Sequence, residues 1–399
     1  MTEPQTTRLM LATVRDELEK TEVIRDTLPP LEQDEIRLRV DKVGLSANNL
    51  FYLQMGEAPF LKFFHVYPLG PEHKHLANMP AWGIGTVIAS ENDDFAVGEK
   101  FTGFLQLTNV VQMKARRSDQ GFTAYGGNRD KLNPAYNGFT AVSAGRNSPI
   151  RGEGDKADLA MTASPGALSG FVLFELLRMN DYYGGNSVVL TSASSKLSLA
   201  TALLLQEARS QGRIDKVIGY TSERNRDFVT DTGLYDEVLS FDQDLPAGTG
   251  LKHVLIDVAG DAQVFKRNQA AIIKGLAVGG THGDADSSTF TAFRPSGFLK
   301  MFIDMMGPAW MKRWAERRLS PTLEMFFAPT VINSLLERWC REEMDRRSDD
   351  ALRRFVDAAV DGGWIKVTRA EDIPSTQAAY QQVISGAISP SDAVIISLT

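Results

Sequence analysis

Polar and apolar residues alternate along the first third of the chain, as they do in strands that lay one face on a core. The alternation covers residues 35–43 and returns at 82–89, after which a turn-like segment, 92–94, leads to a short strand at 97–101. Between residues 110 and 160 the alternation weakens while Gly, Asn, Arg and Tyr accumulate, which favours a long irregular insertion or a substrate-facing loop system. We therefore predict a small, β-rich, barrel-like domain of antiparallel strands.

The pattern changes near residue 161, where continuous apolar runs replace the alternation. Residues 167–179 have the composition of a helix. Strands are then predicted at 187–191, 216–220, 237–239, 252–257 and 276–281, with helices at 197–209, 223–232, 262–273 and 334–347. Strands that alternate with helices of this length form right-handed crossovers in a parallel sheet that is covered on both faces. The prediction is an α/β fold with a doubly wound, Rossmann-like sheet.

Composition narrows the classes of function. A chain of 399 residues exceeds what one hydrophobic core usually organises, so two or three domains are expected. Lys and Arg number 43 against 50 Asp and Glu, so the formal net charge of -7 provides no global basic field for a nucleic-acid partner. The single cysteine, Cys340, excludes an intramolecular disulfide and any cysteine cluster for zinc or iron–sulfur. It also fits a reducing, cytoplasmic compartment.

Two features argue against a membrane protein. The first residues lack the basic segment and the apolar core of a secretory signal. The longest uncharged stretch, 159–174, contains Pro165, Gly166 and Gly170, and it is shorter than the roughly 20 residues that a spanning helix needs. We expect no integral membrane segment.

The turn after the strand at 187–191 is where a dinucleotide-binding fold holds a pyrophosphate, against the N-terminal amides of the next helix. A glycine-rich Gly-x-Gly-x-x-Gly loop is expected there, but this chain has Ser192, Ser194, Ser195 and Lys196 instead. Hydroxyl groups and an ammonium group can still bind an anion, so we predict a phosphate site. The alternative is that Ser192 or Ser194 caps the helix and that Lys196 is solvated.

The end of the second predicted strand bears on the choice of cofactor. An acidic residue there binds the ribose of NAD, whereas small polar and basic residues accommodate the additional phosphate of NADP. The chain has Thr221, Ser222, Arg224 and Asn225 at this place, with no acid at the strand tip, which favours NADPH. In the alternative interpretation, Ser222 caps the helix, and Glu223 and Arg224 are ordinary residues of its first turn.

Together these segments resemble the medium-chain dehydrogenase/reductase superfamily, in its zinc-free, quinone-reductase-like branch. The resemblance lies in the order of segments 35–50, 97–101, 187–205, 254–260, 276–280 and 379–386. A closer resemblance, to the uncharacterised family DUF2855, rests on residues 47–50, 192–196 and 326–329.

The resemblance implies two domains. Residues 1–160 and 370–399 would form a discontinuous, β-rich, GroES-like catalytic domain, and residues 161–369 a Rossmann-like cofactor domain with a helical insertion at about 290–350. It also implies an NADPH-dependent, metal-free oxidoreductase that reduces an activated C=C or C=O bond in an apolar substrate, such as an acyl thioester. Both zinc sites of the superfamily are missing, because they need several cysteine or histidine ligands.

The resemblance also suggests catalytic residues. A tyrosine that donates a proton in some zinc-free reductases corresponds here to Ala47, so the nearby Tyr52, Asn48 and Asn49 become the candidates. The alternative is that both asparagines cap a turn. The candidates for meeting the nicotinamide with their backbone are Gly280 and His282, and the substrate candidates are His65, Tyr67, Tyr125 and Tyr136.

The segment 298–319 interleaves methionine and tryptophan with basic residues. It could cap a pocket for a bulky apolar substrate or make peripheral contact with a membrane surface, and the alternative is that it packs on the cofactor domain or on a second subunit. We expect a homodimer. Two other functions stay open: a non-redox descendant of the fold that binds another phosphorylated ligand, such as CoA, and a binding or scaffold protein.

Overall fold

The structure is a computed structural model, and it describes residues 6–46, 48–57, 62–131, 136–143, 148–246, 250–260, 262–278 and 323–398. The chain divides into two compact units. The first consists of Met1–Ser164 and Ile365–Thr399, and the second of Pro165–Trp364.

The described residues form helices and strands as follows. The strands are β1 Thr7–Val14, β2 Glu17–Thr27, β3 Glu35–Leu45, β4 Leu76–Asn78, β5 Pro80–Ser90, β6 Lys100–Gln106, β7 Val110–Ser118, β8 Gly121–Tyr125, β9 Gly138–Ala141, β10 Ser187–Leu190, β11 Lys216–Thr221, β12 Glu237–Ser240, β13 His253–Asp257, β14 Ile272–Ala277, β15 Leu323–Met325, β16 Lys366–Ala370 and β17 Asp392–Ile396. The α-helices are α1 Asn48–Gln54, α2 Asp155–Met179, α3 Lys196–Ser210, α4 Arg226–Asp231, α5 Ala262–Arg267, α6 Ala328–Leu336, α7 Arg341–Asp361 and α8 Ile373–Ile384.

The first unit contains a large sheet with the strand order β16-β17-β3-β5-β6-β9-β8-β7. Strand β3 also pairs with β7, and this pairing closes six of the strands into a barrel. The alternate residues Ile36, Leu38 and Val40 of β3 lie on one face of the strand, and all three are buried in the core. The last strand of the chain, β17, pairs antiparallel with β3, so the C-terminal segment belongs to this unit.

The prediction of an irregular insertion between residues 110 and 160 is wrong. This stretch contains β7, β8 and β9 and the beginning of α2. Strand β7 has its own alternation, with Val111, Met113 and Ala115 buried. The next strand, β8, pairs with β9, and a Cβ atom at Gly121 would collide with the backbone of Phe139 in β9. This glycine, which contributed to the prediction of a loop, therefore allows two strands to approach closely.

The second unit confirms the predicted doubly wound sheet. Its strand order is β12-β11-β10-β13-β14-β15, and every neighbouring pair is parallel. Counted along the chain, this is the order 3-2-1-4-5-6 of dinucleotide-binding folds. The central strand β10 is buried along its whole length, as expected for a strand with helices on both faces.

Helix α2 is longer than predicted, because it begins at Asp155 and includes Pro165. Glycines let it approach the first turns of α3, since a Cβ atom at Gly170 would lie 3.0 Å from the carbonyl oxygen of Leu197 and from Oγ1 of Thr201. Within the described residues, α2 is the one helix whose length and composition would allow it to cross a membrane, and 61% of its most apolar window is buried. A buried core helix of a globular protein has the same properties.

Two predicted helices are wrong in their bounds. The helix expected at 262–273 ends at Arg267, and Ile272 begins strand β14, because β-branched residues favour strands. Strand β14 therefore begins four residues earlier than the strand predicted at 276–281, and it ends at Ala277. The helix expected at 334–347 is two helices, α6 and α7, that are separated at Cys340, which has an extended backbone and precedes the first turn of α7. The predictions for Gly280, His282 and the segment 298–319 lie outside the described residues.

Candidate functional site

The loop between β10 and α3 lies at the carboxyl edge of the parallel sheet, where doubly wound folds bind ligands. Ser192 has a left-handed backbone with φ 47°, a conformation that glycine adopts most easily, so the chain keeps the sharp turn of a glycine-rich loop without the glycine. The next residue is held on both sides: the N–H group of Ala193 donates to the carbonyl oxygen of Tyr220 at 2.9 Å, and the hydroxyl group of Tyr235 donates to the carbonyl oxygen of Ala193 at 2.9 Å.

The cap of helix α3 is Ser195, and neither of the two serines considered in the capping alternative fills this role. The hydroxyl oxygen of Ser195 accepts a hydrogen bond from the N–H group of Ser198 at 3.2 Å. The hydroxyl group of the buried Ser198 donates to the carbonyl oxygen of Thr191 at 3.0 Å. Lys196, the first residue of α3, is partly buried. The loop thus combines a positive helix end, hydroxyl groups and an ammonium group, which suits a phosphate.

A buried hydrogen-bond network that the sequence did not reveal supports this loop. The hydroxyl group of Thr191 donates to Oδ1 of Asp257 at 2.7 Å. It accepts hydrogen bonds from the N–H groups of Val258 at 2.8 Å and Ala259 at 2.9 Å. Because Thr191 follows β10 and Asp257 ends β13, the network joins the carboxyl ends of two neighbouring strands. Parallel strands end at the same edge, and this rule could have directed attention to Asp257.

The second predicted cofactor segment, at the end of β11, lies beside the loop. The side-chain amide of Asn225 donates to the hydroxyl oxygen of Ser194 at 3.2 Å. Thr221 is buried, and Ser222 makes no side-chain capping bond, so the capping alternative for Ser222 is not realised. Arg224 is exposed and forms no ion pair or side-chain hydrogen bond with the rest of the described chain.

The acidic residue that lies nearest in sequence to the tip of β11 is Glu223, and it already has a partner. Glu223 accepts a hydrogen bond from the hydroxyl group of Ser240 at 2.6 Å, and this bond, together with Arg226, lowers the pKa of Glu223. The carboxylate is therefore tied to the end of β12. Arg224 then adds an exposed positive charge to this edge of the sheet.

In the first unit, Tyr52 belongs to an aromatic cluster with Phe63, Trp82, Phe104 and Tyr136. The ring of Tyr52 lies edge-on to Phe63 and Phe104, both at 5.0 Å between centroids, and its hydroxyl oxygen accepts a hydrogen bond from Nε1 of Trp82 at 3.0 Å. The ring of Tyr136 lies 4.9 Å from Phe63 and 4.8 Å from Phe104. Burial raises the pKa of Tyr136, so its phenol stays protonated at neutral pH.

The two asparagines of the first predicted catalytic segment lie at the start of helix α1. Asn49 is buried, and its side chain accepts a hydrogen bond from the N–H group of Ser46 at 2.8 Å and donates to the carbonyl oxygen of Pro80 at 2.9 Å. Asn49 therefore closes a turn, as the alternative for this pair proposed. The side chain of Asn48 is outside the described part of the structure.

Two further substrate candidates lie on or next to the 3₁₀ helix Phe63–His65. Tyr67 is buried, and its hydroxyl group donates to the carbonyl oxygen of Phe104 at 2.7 Å. Burial raises the pKa of Tyr67, while the guanidinium of Arg129 over its ring opposes that shift. His65 lies 2.9 Å from Glu57, and partial burial, with help from Arg15 and Lys62, lowers the pKa of the imidazole.

Tyr125 does not join this aromatic cluster. Its hydroxyl group donates to the carboxylate of Asp34 at 3.2 Å, and the guanidinium of Arg116 lies 4.7 Å from its ring centroid. Of the four substrate candidates, the structure therefore connects Tyr67 and Tyr136 to Tyr52 through Phe104, and it leaves Tyr125 and His65 in other surroundings.

Among the residues that the structure describes, no group of three or more His, Cys, Asp or Glu is placed to hold a metal ion. Cys340 is exposed.

Fold and loop geometry together define a class. The parallel sheet of the second unit, with its serine-rich turn at the carboxyl edge of β10, is that of a dinucleotide-binding fold. The chain belongs to the DUF2855 family, described as "Protein of unknown function", whose model matches residues 43–389. No curated protein matches the sequence.

Solved structures show the same fold at low sequence identity. The mll3093 protein of Mesorhizobium loti, a candidate NADPH:quinone reductase, is 14% identical with a TM-score of 0.56, and the match covers 100% of both chains. CurA from Vibrio vulnificus, solved in complex with NADPH, is 14% identical with a TM-score of 0.54 over 98% of this chain and 99% of CurA. The yhdH oxidoreductase from Salmonella enterica, in complex with NADP, is 14% identical with a TM-score of 0.51 over 98% of this chain and 100% of yhdH.

Proposed function

We propose that the protein is an NADPH-dependent, metal-free oxidoreductase that reduces an activated C=C or C=O bond in an apolar substrate. The observation that carries this proposal is the edge formed by the turn at Ser192 and the end of β11. There a helix N-terminus, Lys196 and the exposed Arg224 offer positive charge, while Glu223, the nearest acid, is bonded to Ser240. The NADPH and NADP complexes of CurA and yhdH, which share this fold, support the choice of cofactor.

The described residues fit a dinucleotide with an additional phosphate. The loop of Ser192, Ser194, Ser195 and Lys196 would hold the pyrophosphate. The segment of Thr221, Ser222, Arg224 and Asn225 would hold the ribose and its 2′-phosphate. The proposal keeps Gly280 and His282 as the positions whose backbone meets the nicotinamide. When bound, NADPH supplies the hydride.

The chain itself would position the substrate and deliver a proton. Tyr52 and Tyr136 both carry phenol groups, which are protonated at neutral pH, within one aromatic cluster. The surrounding rings offer an apolar surface to the body of the substrate. We propose that Tyr52, with Asn48 on the same segment, faces the reacting bond, while the amide of Asn49 fixes the turn before α1.

A comparison of NADPH binding with NADH binding tests whether Arg224 binds the 2′-phosphate. Arg224→Ala is expected to weaken NADPH binding about tenfold and to leave NADH binding unchanged, because only the 2′-phosphate needs this cation. Isothermal titration of wild type and variant with both nucleotides measures the effect. Since Arg224 has no partner among the described residues, the variant should unfold at the same temperature as the wild type.

Arg226→Ala serves as a control, because Arg226 lies two positions further along and pairs with Glu223 at 3.5 Å. It should retain the preference for NADPH. Equal loss of NADPH and NADH affinity in Arg224→Ala would contradict a 2′-phosphate site, and binding of CoA without either nicotinamide nucleotide would favour the non-redox alternative.

A further inference from the structure

A cavity of about 610 Å³ lies in the second unit, away from the candidate dinucleotide loop. Its walls come from the C-terminal halves of α2 and α3 and from α7. The lining residue of α3 that is nearest to Lys196 in sequence is Leu204, which lies about 12 Å along the helix axis. A volume of this size is within the range of small-molecule sites, and the dinucleotide loop contributes none of its lining residues.

The cavity has two kinds of surface. Phe171, Phe174 and Leu204 are buried apolar side chains that give it a hydrophobic floor. Guanidinium groups form much of the rest, and they come from Arg178, Arg213, Arg346, Arg347 and Arg354. An apolar floor below several cations matches a ligand with an anionic head and an apolar body.

Four carboxylates also line the cavity, and three of them have arginine partners. Glu175 is bonded to Arg178 at 2.6 Å, and Glu207 to Arg354 at 3.2 Å. Asp350 lies 3.8 Å from an arginine outside the cavity. These pairs are neutral, so the fourth carboxylate, Asp181, and the three remaining arginines set the charge of the cavity.

The remaining arginines outnumber the carboxylates that can pair with them. Arg346 and Arg347 both form ion pairs with Glu343, at 2.8 Å and 2.6 Å, so two guanidinium groups share one carboxylate. Arg213 is exposed and forms no ion pair or side-chain hydrogen bond within the described ranges. Three arginines, Arg213, Arg346 and Arg347, therefore face two carboxylates, Glu343 and Asp181, which leaves an excess of one positive charge.

One wall of the cavity is a strained turn that follows α2. Asp181, Tyr182 and Tyr183 have φ values of 47°, 49° and 53°, so three successive residues with side chains adopt the left-handed conformation. The turn places the buried Tyr182 against the cavity, and Lys274 lies 4.8 Å from the ring centroid of Tyr183. Backbone of this kind is costly, and it persists mainly where the surrounding structure holds it, often at ligand sites.

We propose that this cavity is a second ligand site, which binds a small organic oxyanion, a phosphate or carboxylate on an apolar body. Arg213 binds the oxyanion, Arg346, which Glu343 holds through two hydrogen bonds, adds positive charge beside it, and Phe171 and Phe174 pack against the body. Arginine suits this task because its planar guanidinium offers parallel donors to both kinds of oxyanion. The site is separate from the proposed dinucleotide site and does not depend on it.

Titration of the full chain with 1-naphthyl phosphate, 1-naphthoate and 1-naphthol tests the proposal. The experiment is run with saturating NADPH, so that the probes cannot occupy the dinucleotide site. We expect at least one anion to bind at least tenfold more tightly than the neutral naphthol. The tighter of the two anions identifies the head group as a phosphate or a carboxylate.

Arg213→Ala should weaken binding of the preferred anion about tenfold and leave the unfolding temperature unchanged, since Arg213 has no partner to lose among the described residues. Arg346→Ala should weaken it as well. Arg224→Ala is the matched control, an exposed arginine that also lacks a partner there but lies at the end of β11. It should alter NADPH binding alone, whereas Arg213→Ala should leave NADPH binding unchanged.

Three results would overturn the second site: absence of binding by both anions at millimolar concentration, equal affinity for naphthol and the anions, or wild-type anion affinity in both Arg213→Ala and Arg346→Ala. Each of these results is independent of whether NADPH binds, because NADPH binding is measured separately on the same proteins.

Discussion

Replacing Phe104 by alanine is expected to lower the free energy of unfolding by about 3–5 kcal/mol, the usual cost of removing a buried phenylalanine from a packed core. Phe104 is 0% exposed, and its ring contacts those of Tyr52, Phe63, Trp82 and Tyr136. The substitution would leave a cavity, and each of these four rings would lose its contact with the ring of Phe104. Chemical denaturation, followed by tryptophan fluorescence, measures the loss.

Two controls separate this effect from a general sensitivity of the first unit. Phe104→Leu keeps much of the volume and should cost clearly less than the alanine variant. Val97→Ala alters a side chain of the same unit that is 68% exposed, and it should change the free energy of unfolding by less than about 0.5 kcal/mol. A loss below about 1 kcal/mol in Phe104→Ala would show that the aromatic cluster is not packed as described.

Replacing Thr191 by valine is expected to lower the free energy of unfolding by about 3 kcal/mol and to weaken nicotinamide nucleotide binding. Valine keeps the shape of threonine but removes the hydroxyl group that bonds to Asp257, Val258 and Ala259. Each buried hydrogen bond lost in this way costs about 1–3 kcal/mol, because the groups left behind are out of reach of water. The affected strand ends carry the proposed cofactor loop.

Thr191→Ser is the matched control for this prediction. It keeps the hydroxyl group and loses a methyl group, so it should be more stable than Thr191→Val and should retain nucleotide binding. The order would be reversed if Thr191 contributed only through packing, and Thr191→Val would then be the more stable of the two variants.

The doubly wound sheet was predictable because its strands are defined locally. Residues 188–190 form a continuous apolar run between polar neighbours, a pattern typical of a strand buried on both faces. The strands between residues 110 and 141 were not predictable in the same way. They are stabilised by pairing with distant segments, such as β7 with β3, and a window of sequence does not contain its partner.

The candidate site shows the same division between local and distant information. The serine-rich loop was located from the strand that precedes it, and the structure connects its Ser194 to Asn225 as neighbouring strand ends require. The hydrogen bond between Thr191 and Asp257 joins residues that are 66 positions apart, so no local sequence pattern predicts it. The sequence left open whether Asn49 faces the nicotinamide or caps a turn, and only the structure shows that its amide closes a turn. Catalytic roles, a homodimer and a cytoplasmic location stay predictions.

Equilibrium titration of the purified protein with NADPH, compared with Lys196→Ala, tests the central claim most directly. The account predicts that the wild type binds NADPH more tightly than NADH, and that Lys196→Ala weakens both about tenfold, because the ammonium group offsets the charge of the pyrophosphate that the two nucleotides share. If the wild type binds neither nucleotide, or if Lys196→Ala binds NADPH more tightly than the wild type, the serine-rich loop is not a dinucleotide site and the proposed function is wrong.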